Sequence, residues 1–185
     1  MKKYSRGMAS FVVMMMLSPV AAQAADGKVT FNGEVIENTC TVVNKDKTVT
    51  LPTVQRALSS AGETAGVVPF TIDLTSCTPG ADVSVYFEKD QYVSTEGRLK
   101  NTLSDGTEAE NVDVELLNTR FTPINLAETP AVAADGTIAR PDVIPVAVAE
   151  QDGSASLPFY ARYYATDAAT AGKVATYVNF TVVYP

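Results

Sequence analysis

Histidine and tryptophan are absent from this 185-residue sequence, and only two cysteines are present. The missing histidine removes the usual general base near neutral pH and the commonest metal ligand. A Ser-His-Asp triad, a Cys-His pair and a His-ligated zinc site are therefore excluded. The acidic residues show no spacing that singles out a glycosidase pair. The sequence predicts no enzyme, cofactor or bound metal.

The N-terminus carries the features of a secretory signal. Lys2, Lys3 and Arg6 form a basic start, residues 11–17 are an unbroken apolar run, and residues 22–24 match the small-x-small pattern before a cleavage site. The apolar run is too short to span a bilayer. We therefore expect residues 1–24 to be a signal peptide and the mature chain to begin at Ala25.

Positive charge is scarce. The whole chain has 14 Lys and Arg against 21 Asp and Glu, a net charge of −7. Removing residues 1–24 takes away three positive charges and leaves 11 against 21, a net charge of −10. This balance argues against a nucleic acid or an anionic membrane surface as a partner.

The two cysteines are expected to pair. An export signal sends Cys40 and Cys77 to an oxidising compartment, where two cysteines most often form a disulfide. The loop of 38 residues that this bond closes would stabilise the fold by about 4 kcal/mol in the chain-entropy model. The alternative, a metal site, has little support because two cysteines without histidine offer no ligand spacing.

Alternation of apolar and polar residues at period two indicates an all-β protein. Asp-Gly and Pro-Gly turn signals separate the alternating stretches, and no linker divides the mature chain, so we expect one sandwich domain. Residues 94–110 and 127–142 are interpreted as loops, the first with a short strand at 99–103, and one helical turn would fit within 54–66. The predicted strands are 29–35, 48–51, 70–74, 83–87, 112–116, 144–148, 157–164 and 174–184.

The last predicted strand has two fairly apolar faces. A strand of that kind is normally central and covered on both sides, so its position at the end of the chain raises the question of what pairs with its free edge. An alternating segment at the N-terminus is one candidate, because a terminal strand can add to the sheet of another subunit. Composition does not choose between this and an ordinary first strand. The alternating residues are Val29, Phe31, Gly33 and Val35 at the start, and Val174, Thr176, Val178, Phe180, Val182 and Tyr184 at the end.

Several separated motifs resemble the subunits of type 1 and P-type fimbriae that are assembled by the chaperone–usher route. The resemblance covers essentially the whole mature chain. It is carried by residues 27–36 followed by 40–42, by 68–77 leading into the second cysteine, by 158–166, by Gly172, which is fourteenth from the C-terminus, and by the penultimate Tyr184.

The resemblance implies an immunoglobulin-like sandwich that lacks its last strand. Residues 25–36 would be a donor-strand extension, with Val29, Phe31, Gly33 and Val35 facing the groove of a neighbour, and 37–185 would be the pilin domain. Gly33 would lie where that groove is shallow. The acceptor and chaperone-binding strand would be residues 174–184, and Cys40 and Cys77 would join the first two strands.

The implied partners are identical or related pilin subunits, a periplasmic chaperone and an outer-membrane usher, with export through the periplasm to a surface fimbria. A structural shaft subunit is the preferred interpretation. The alternative is a minor, adaptor or tip-associated subunit that contacts a host surface receptor. The acidic residues Glu108, Glu110, Asp113 and Glu115 are interpreted as a solvated face, since no calcium-binding loop is present.

Overall fold

The structure is a computed structural model that describes Thr30 and residues 40–55, 58–129, 131–132, 138–139 and 142–184. The chain divides into two units, Met1–Ile36 and Glu37–Pro185. In the first unit the one described residue, Thr30, is exposed. The predicted donor residues Val29, Phe31, Gly33 and Val35 lie outside the described residues.

The second unit is built of β-strands. No helix in the described residues is long and apolar enough to cross a membrane. The strands are β1 (Thr41–Val43), β2 (Thr64–Thr75), β3 (Asp82–Phe87), β4 (Leu99–Lys100), β5 (Val112–Leu117), β6 (Ala131–Val132), β7 (Ile138–Ala139), β8 (Val146–Ala147), β9 (Ala155–Ala165) and β10 (Phe180–Val183).

Two antiparallel sheets enclose the core of this unit. One has the order β1-β2-β9-β5-β4 and the other the order β10-β3-β8, while β6 and β7 form a separate hairpin. The rings of Phe87 and Phe159 meet edge to face at 5.1 Å and connect the two sheets, and Phe70 lies 5.6 Å from Phe159. The buried centre includes Ile72, Leu74, Val83, Val85, Phe87, Leu157 and Phe159.

The longest pairing joins β2 to β9. Alternating burial along β9 places Leu157, Phe159 and Ala161 in the core, as the period-two pattern predicts. β2 begins earlier than expected, and its register shifts between Ala65 and Val68. Gly66 has a φ of +67° at this irregularity, a conformation that glycine adopts without strain. The helical turn that would fit within 54–66 does not occur in the described part of that stretch.

The disulfide between Cys40 and Cys77 is present, which confirms that prediction. It connects the residue before β1 to the residues that follow β2, and β1 and β2 are neighbours in the five-stranded sheet. The amide of Cys77 also donates to the carbonyl of Gly153 at 2.9 Å. This corner of the sandwich is therefore held by both covalent and hydrogen bonds.

Strand β5 corrects the interpretation of the acidic residues as a solvated face for Asp113 and Glu115, whereas Glu110 is exposed and Glu108 half-buried. All six residues of β5 are buried, including Asp113 and Glu115. Glu115 Oε2 lies 2.6 Å from Arg162 Nη2, and Asp113 Oδ2 lies 3.6 Å from Arg98 Nε. Burial raises the pKa of Asp113, and the positive charge of Arg98 opposes that rise. Paired guanidinium groups thus allow two carboxylates to sit in a covered strand.

Two predicted strands are shorter than expected, and a third is not found as a strand in the described residues. Residues 48–51 form no ladder in the described residues, although Val49 and Leu51 are half-buried while Thr48 and Thr50 are exposed. Only Val146–Ala147 of the predicted 144–148 and Phe180–Val183 of the predicted 174–184 are paired as strands. The two predicted loops contain the short strands β4, β6 and β7. Alternation thus identified which side chains face inward better than it identified the hydrogen-bonded ladders.

Candidate strand-acceptor edge

The 174–184 segment has one inward and one outward face. Its even-numbered residues are all half-buried, whereas Ala175, Tyr177, Asn179 and Thr181 are exposed, Tyr177 to 51%. Val183, on the other face, is also half-buried. The half-buried residues of the even-numbered face, which carry no carboxylate or ammonium group, are Val174, Thr176, Val178, Phe180, Val182 and Tyr184.

The backbone of this segment has one bonded edge and one open edge. The carbonyl of Asn179 accepts from the amide of Glu88 at 2.8 Å, and the antiparallel register continues through Thr181 and Val183. Antiparallel pairing directs the N–H and C=O groups of alternate residues to opposite sides. The backbone groups of Phe180 and Val182 consequently point away from β3, and no strand among the described residues pairs with that side.

The start of the segment is fixed to residues 101–109. The amide of Thr102 donates to the carbonyl of Ala175 at 2.8 Å, and the amide of Ala109 donates to the carbonyl of Lys173 at 2.9 Å. A Cβ added at Gly172 would lie 2.3 Å from the nitrogen of Ala109, so only glycine fits this approach. The segment is thus anchored on one edge at both its beginning and its end.

The end of the segment lies beside the first strand of the other sheet. The hydroxyl of Tyr184 accepts a hydrogen bond from the amide of Cys40 at 3.3 Å. β1, which follows Cys40, is the edge strand of the five-stranded sheet. The open edge of β10 and the β1 edge of the facing sheet therefore border the same side of the sandwich.

A cleft of about 390 Å³ lies along the five-stranded sheet, between residues 47–50 and residues 68–71 of β2. Val68 and Phe70 line it and are only half-buried, whereas Ile72 and Leu74 further along the same strand are buried. Cover over the inner face of β2 thus decreases from Leu74 towards Val68. The core is closed at the disulfide end of β2 and less covered towards its middle.

A polar atom on the inward face has no hydrogen-bond partner where the structure describes the chain. The hydroxyl oxygen of Thr176 is buried and makes no hydrogen bond in the described part of the chain. On the outward face, by contrast, the hydroxyl of Thr181 donates to Glu88 at 2.7 Å, and Tyr177 packs edge to face on Tyr92 at 5.2 Å. A buried hydroxyl without a partner loses its hydrogen bonds to water, which costs free energy.

The structure places all six predicted acceptor residues on one face and brings Tyr184 close to Cys40. Sequence reasoning did not single out the cleft beside β2 that Val68, Phe70 and residues 47–50 line. It also missed the pairing of Arg162 with Glu115. Opposite charges at facing positions of two predicted strands were the available signal for that pair, but the register of those strands was not known.

Comparison with known proteins identifies the family. The model of FimA, type-1 fimbrial protein A, matches residues 51–185. The chain belongs to the type-1 fimbrial protein family. The match covers β2 to β10 and includes the whole 174–184 segment.

Two curated relatives cover nearly the whole chain. The chain is 43% identical to the major fimbrial subunit SMF-1 of Stenotrophomonas maltophilia (strain K279a), and the match covers 92% of this chain and 99% of that protein. It is 39% identical to the F17 fimbrial protein of Escherichia coli, with 93% and 94% covered. The protein is a structural subunit of a surface fimbria.

A solved structure gives the fold. A chain from a chaperone–usher pilus, solved to explain uncoiling of the rod, superposes with a TM-score of 0.55 at 19% identity and covers 91% of this chain and 100% of that one. At this identity the likeness concerns the fold alone. The two described sheets form the immunoglobulin-like sandwich of chaperone–usher pilins, which confirms the predicted fold class.

Proposed function

We propose that this fimbrial subunit polymerises by donor-strand exchange, with the open edge of the 174–184 segment as the acceptor. The main support is that the residues whose side chains point inward also direct their backbone N–H and C=O groups to the unpaired edge. An added strand would therefore gain main-chain hydrogen bonds and side-chain contacts at the same positions. Polymerisation would complete the sandwich of each subunit.

The donor is residues 25–35 of the next subunit. Its apolar residues Val29, Phe31 and Val35 alternate with the polar residues Thr30, Asn32 and Glu34. This pattern suits a strand with one face on a core and the other in water. The acceptor offers an inward face without charge, so the two patterns are complementary.

A periplasmic chaperone covers the edge before assembly, and an outer-membrane usher is where exchange takes place. An uncovered edge flanked by half-buried apolar residues is a site for unwanted strand pairing. A subunit exported with this edge uncovered would aggregate. Transit through the periplasm in complex with a chaperone follows from the predicted signal peptide and from this edge together.

The test separates the two faces of the donor. Val29→Asp and Phe31→Asp place a charge on the face that enters the core, whereas Thr30→Asp and Asn32→Asp place the same charge on the water-facing side. Purified surface material is run on SDS gels before and after boiling in acid. We expect SDS-resistant ladders from the two control variants and none from the first two, because an unpaired buried charge costs several kcal/mol.

A deletion of residues 25–33 gives the complementary test. We expect the shortened subunit to be recovered from the periplasm in complex with its chaperone, because the acceptor edge is intact, and not to extend a filament. Long filaments from this variant, or normal ladders from Phe31→Asp, would contradict the proposal.

A further inference from the structure

We propose that Tyr92 and Tyr177 form an oxidative cross-linking site, at which hydrogen peroxide and a haem peroxidase join the two rings of one subunit by a carbon–carbon bond. Tyr177 belongs to the exposed, outward face of the 174–184 segment. The site therefore uses neither the inward face nor the open backbone edge, and it does not depend on donor-strand exchange.

The rings of the two tyrosines are in contact. Their centroids lie 5.2 Å apart, and the ring planes meet at 66°. The other close ring pairs in the described part of the chain each contain at least one phenylalanine. Because phenylalanine has no phenol to oxidise, Tyr92 and Tyr177 are the pair there in which both rings can form a phenoxyl radical.

The backbone around Tyr92 is held by hydrogen bonds. The amide of Tyr92 donates to Asp90 Oδ1 at 2.7 Å, and its carbonyl accepts from the amide of Lys100 at 2.8 Å. The amide of Val93 donates to the carbonyl of Asp90 at 3.3 Å. The loop that follows β3 is therefore fixed where it presents this ring.

Tyr177 lies between two anchored points of its own segment. On one side the carbonyl of Ala175 accepts from the amide of Thr102 at 2.8 Å and from its hydroxyl at 2.9 Å. On the other side the carbonyl of Asn179 accepts from the amide of Glu88 at 2.8 Å. Two reactants held in contact combine far faster than two that must meet by diffusion. The fold thus favours coupling of these two rings within one subunit.

An oxidant has access to the pair through Tyr177. This residue is 51% exposed, and Tyr92 beside it is half-buried. A surface fimbria lies in the external medium, where hydrogen peroxide and haem peroxidases occur. Exposure and location together supply the reagents that the coupling needs.

The reaction balances with hydrogen peroxide as the oxidant. Each tyrosine gives up one electron and its phenolic proton, which leaves two tyrosyl radicals. The radicals couple between the ring carbons beside the hydroxyls, and the hydrogens on those two carbons move to the oxygens as the rings regain aromaticity. The O–O bond of hydrogen peroxide breaks as it takes up the two electrons and two protons, and two molecules of water form.

The new bond closes a long loop of the chain. From Tyr92 to Tyr177 this loop spans nearly half of the sequence. A cross-link across a long loop restricts the unfolded chain and so stabilises the folded one. The bond also joins the loop after β3 to the segment that leads into β10. Oxidation hardens the subunit against unfolding in this way.

Tryptic peptides identify the linked residues. Tyr92 is the one tyrosine of the peptide 90–98, and the peptide 174–185 contains Tyr177 and Tyr184. Purified fimbriae are treated with hydrogen peroxide and a haem peroxidase, boiled in acid and separated on SDS gels, and the monomer band is digested. We expect dityrosine fluorescence in that band and a joined peptide that is two hydrogens lighter than the sum of its parts. Fragmentation should place the bond at Tyr177.

Substitution by phenylalanine keeps a ring at each position and removes the phenol. Tyr92→Phe and Tyr177→Phe should each abolish the joined peptide and the fluorescence of the monomer band. Tyr160→Phe is the matched control, because Tyr160 stacks on Phe121 at 4.4 Å, and it should leave both signals unchanged. These variants separate the coupling chemistry from ring packing alone, since edge-to-face packing does not need the hydroxyl.

Three results would overturn the proposal. One is a monomer band without dityrosine, although the same enzyme and peroxide couple free tyrosine. Another is a fluorescent monomer band that persists in Tyr177→Phe. The third is a joined peptide found only in dimers or larger species that survive boiling in acid, which would show coupling between subunits instead.

The denaturant midpoint of the oxidised fimbriae measures the consequence of the bond. We expect the midpoint to rise relative to untreated fimbriae and to stay unchanged in Tyr177→Phe fimbriae treated in the same way. A joined peptide without a rise in the midpoint would overturn the stabilising role of the bond.

Discussion

Strand β5 and the 174–184 segment have a similar alternation of side chains and different environments. Both alternate at period two, and β5 even carries two carboxylates. Yet β5 is buried along its whole length with its charges paired, while the 174–184 segment is half-buried mainly on one face and has a buried hydroxyl with no bond to the described part of the chain. The difference lies in neighbours: β5 has β4 and β9 on its two edges, and β10 has only β3 among the described residues. β5 is completed by its own chain, and we propose that β10 is completed by another.

The largest expected effect comes from a charge on the incomplete strand. Phe180→Asp should prevent chaperone-bound subunit from accumulating, because its carboxylate would be enclosed without a partner at a cost of several kcal/mol. Tyr177→Asp, on the exposed face of the same segment, is the matched control and should accumulate normally. Periplasmic yield measures both, and equal yields would contradict the assignment of the inward face.

The second prediction removes a charge from the complete strand. Glu115→Gln should lower the stability of the subunit by about 2 kcal/mol, because the half-buried Arg162 then keeps its charge without a carboxylate partner. Glu110→Gln, at an exposed position, should change it little. The denaturant midpoints of purified fimbriae compare the two variants. A midpoint for Glu115→Gln that matches the control would show that the pair does not hold β5.

A third prediction concerns the anchor of the 174–184 segment. Gly172→Ala should cost about 2 kcal/mol, since the new methyl group meets the backbone of residues 108 and 109. Ala171→Ser adds one atom at the exposed neighbouring position and should be nearly neutral. The same unfolding assay distinguishes them, and a neutral Gly172→Ala would mean that the close approach is not required.

The smallest effect is expected from Thr176→Val. The hydroxyl has no partner to lose among the described residues, so replacement by an isosteric apolar side chain should change stability by less than about 0.5 kcal/mol. A loss of more than about 1 kcal/mol in the free energy of unfolding, derived from the shift of the midpoint, would show that the hydroxyl makes a direct hydrogen bond in the assembled protein.

Much of the sandwich could be predicted from the sequence. The strands β2, β3 and β9, the disulfide between Cys40 and Cys77, and the inward residues of the 174–184 segment all follow from period-two alternation and from cysteine arithmetic. The strands and the inward residues depend on a local alternation of apolar and polar side chains. The disulfide depends on there being only two cysteines to pair.

The environments of β5 and of the last segment could not be predicted. Sequence reasoning interpreted Asp113 and Glu115 as part of a solvated face, whereas the structure buries both, and it left open what lies beside the last segment. Charge alone did not reveal that Arg98 and Arg162, distant in sequence, neutralise β5. Apolar content alone did not reveal that Tyr177 faces water. Both outcomes depend on strand order, which local patterns do not contain.

Amide hydrogen exchange on intact fimbriae, resolved by residue, tests most directly whether a neighbouring subunit pairs with the open edge. The backbone amides of Thr181 and Val183 point towards β3 and serve as internal references. The backbone amides of Phe180 and Val182 point to the open edge. The account predicts that all four amides are protected in the fimbria. Rapid exchange at Phe180 and Val182 beside protected Thr181 and Val183 would contradict it.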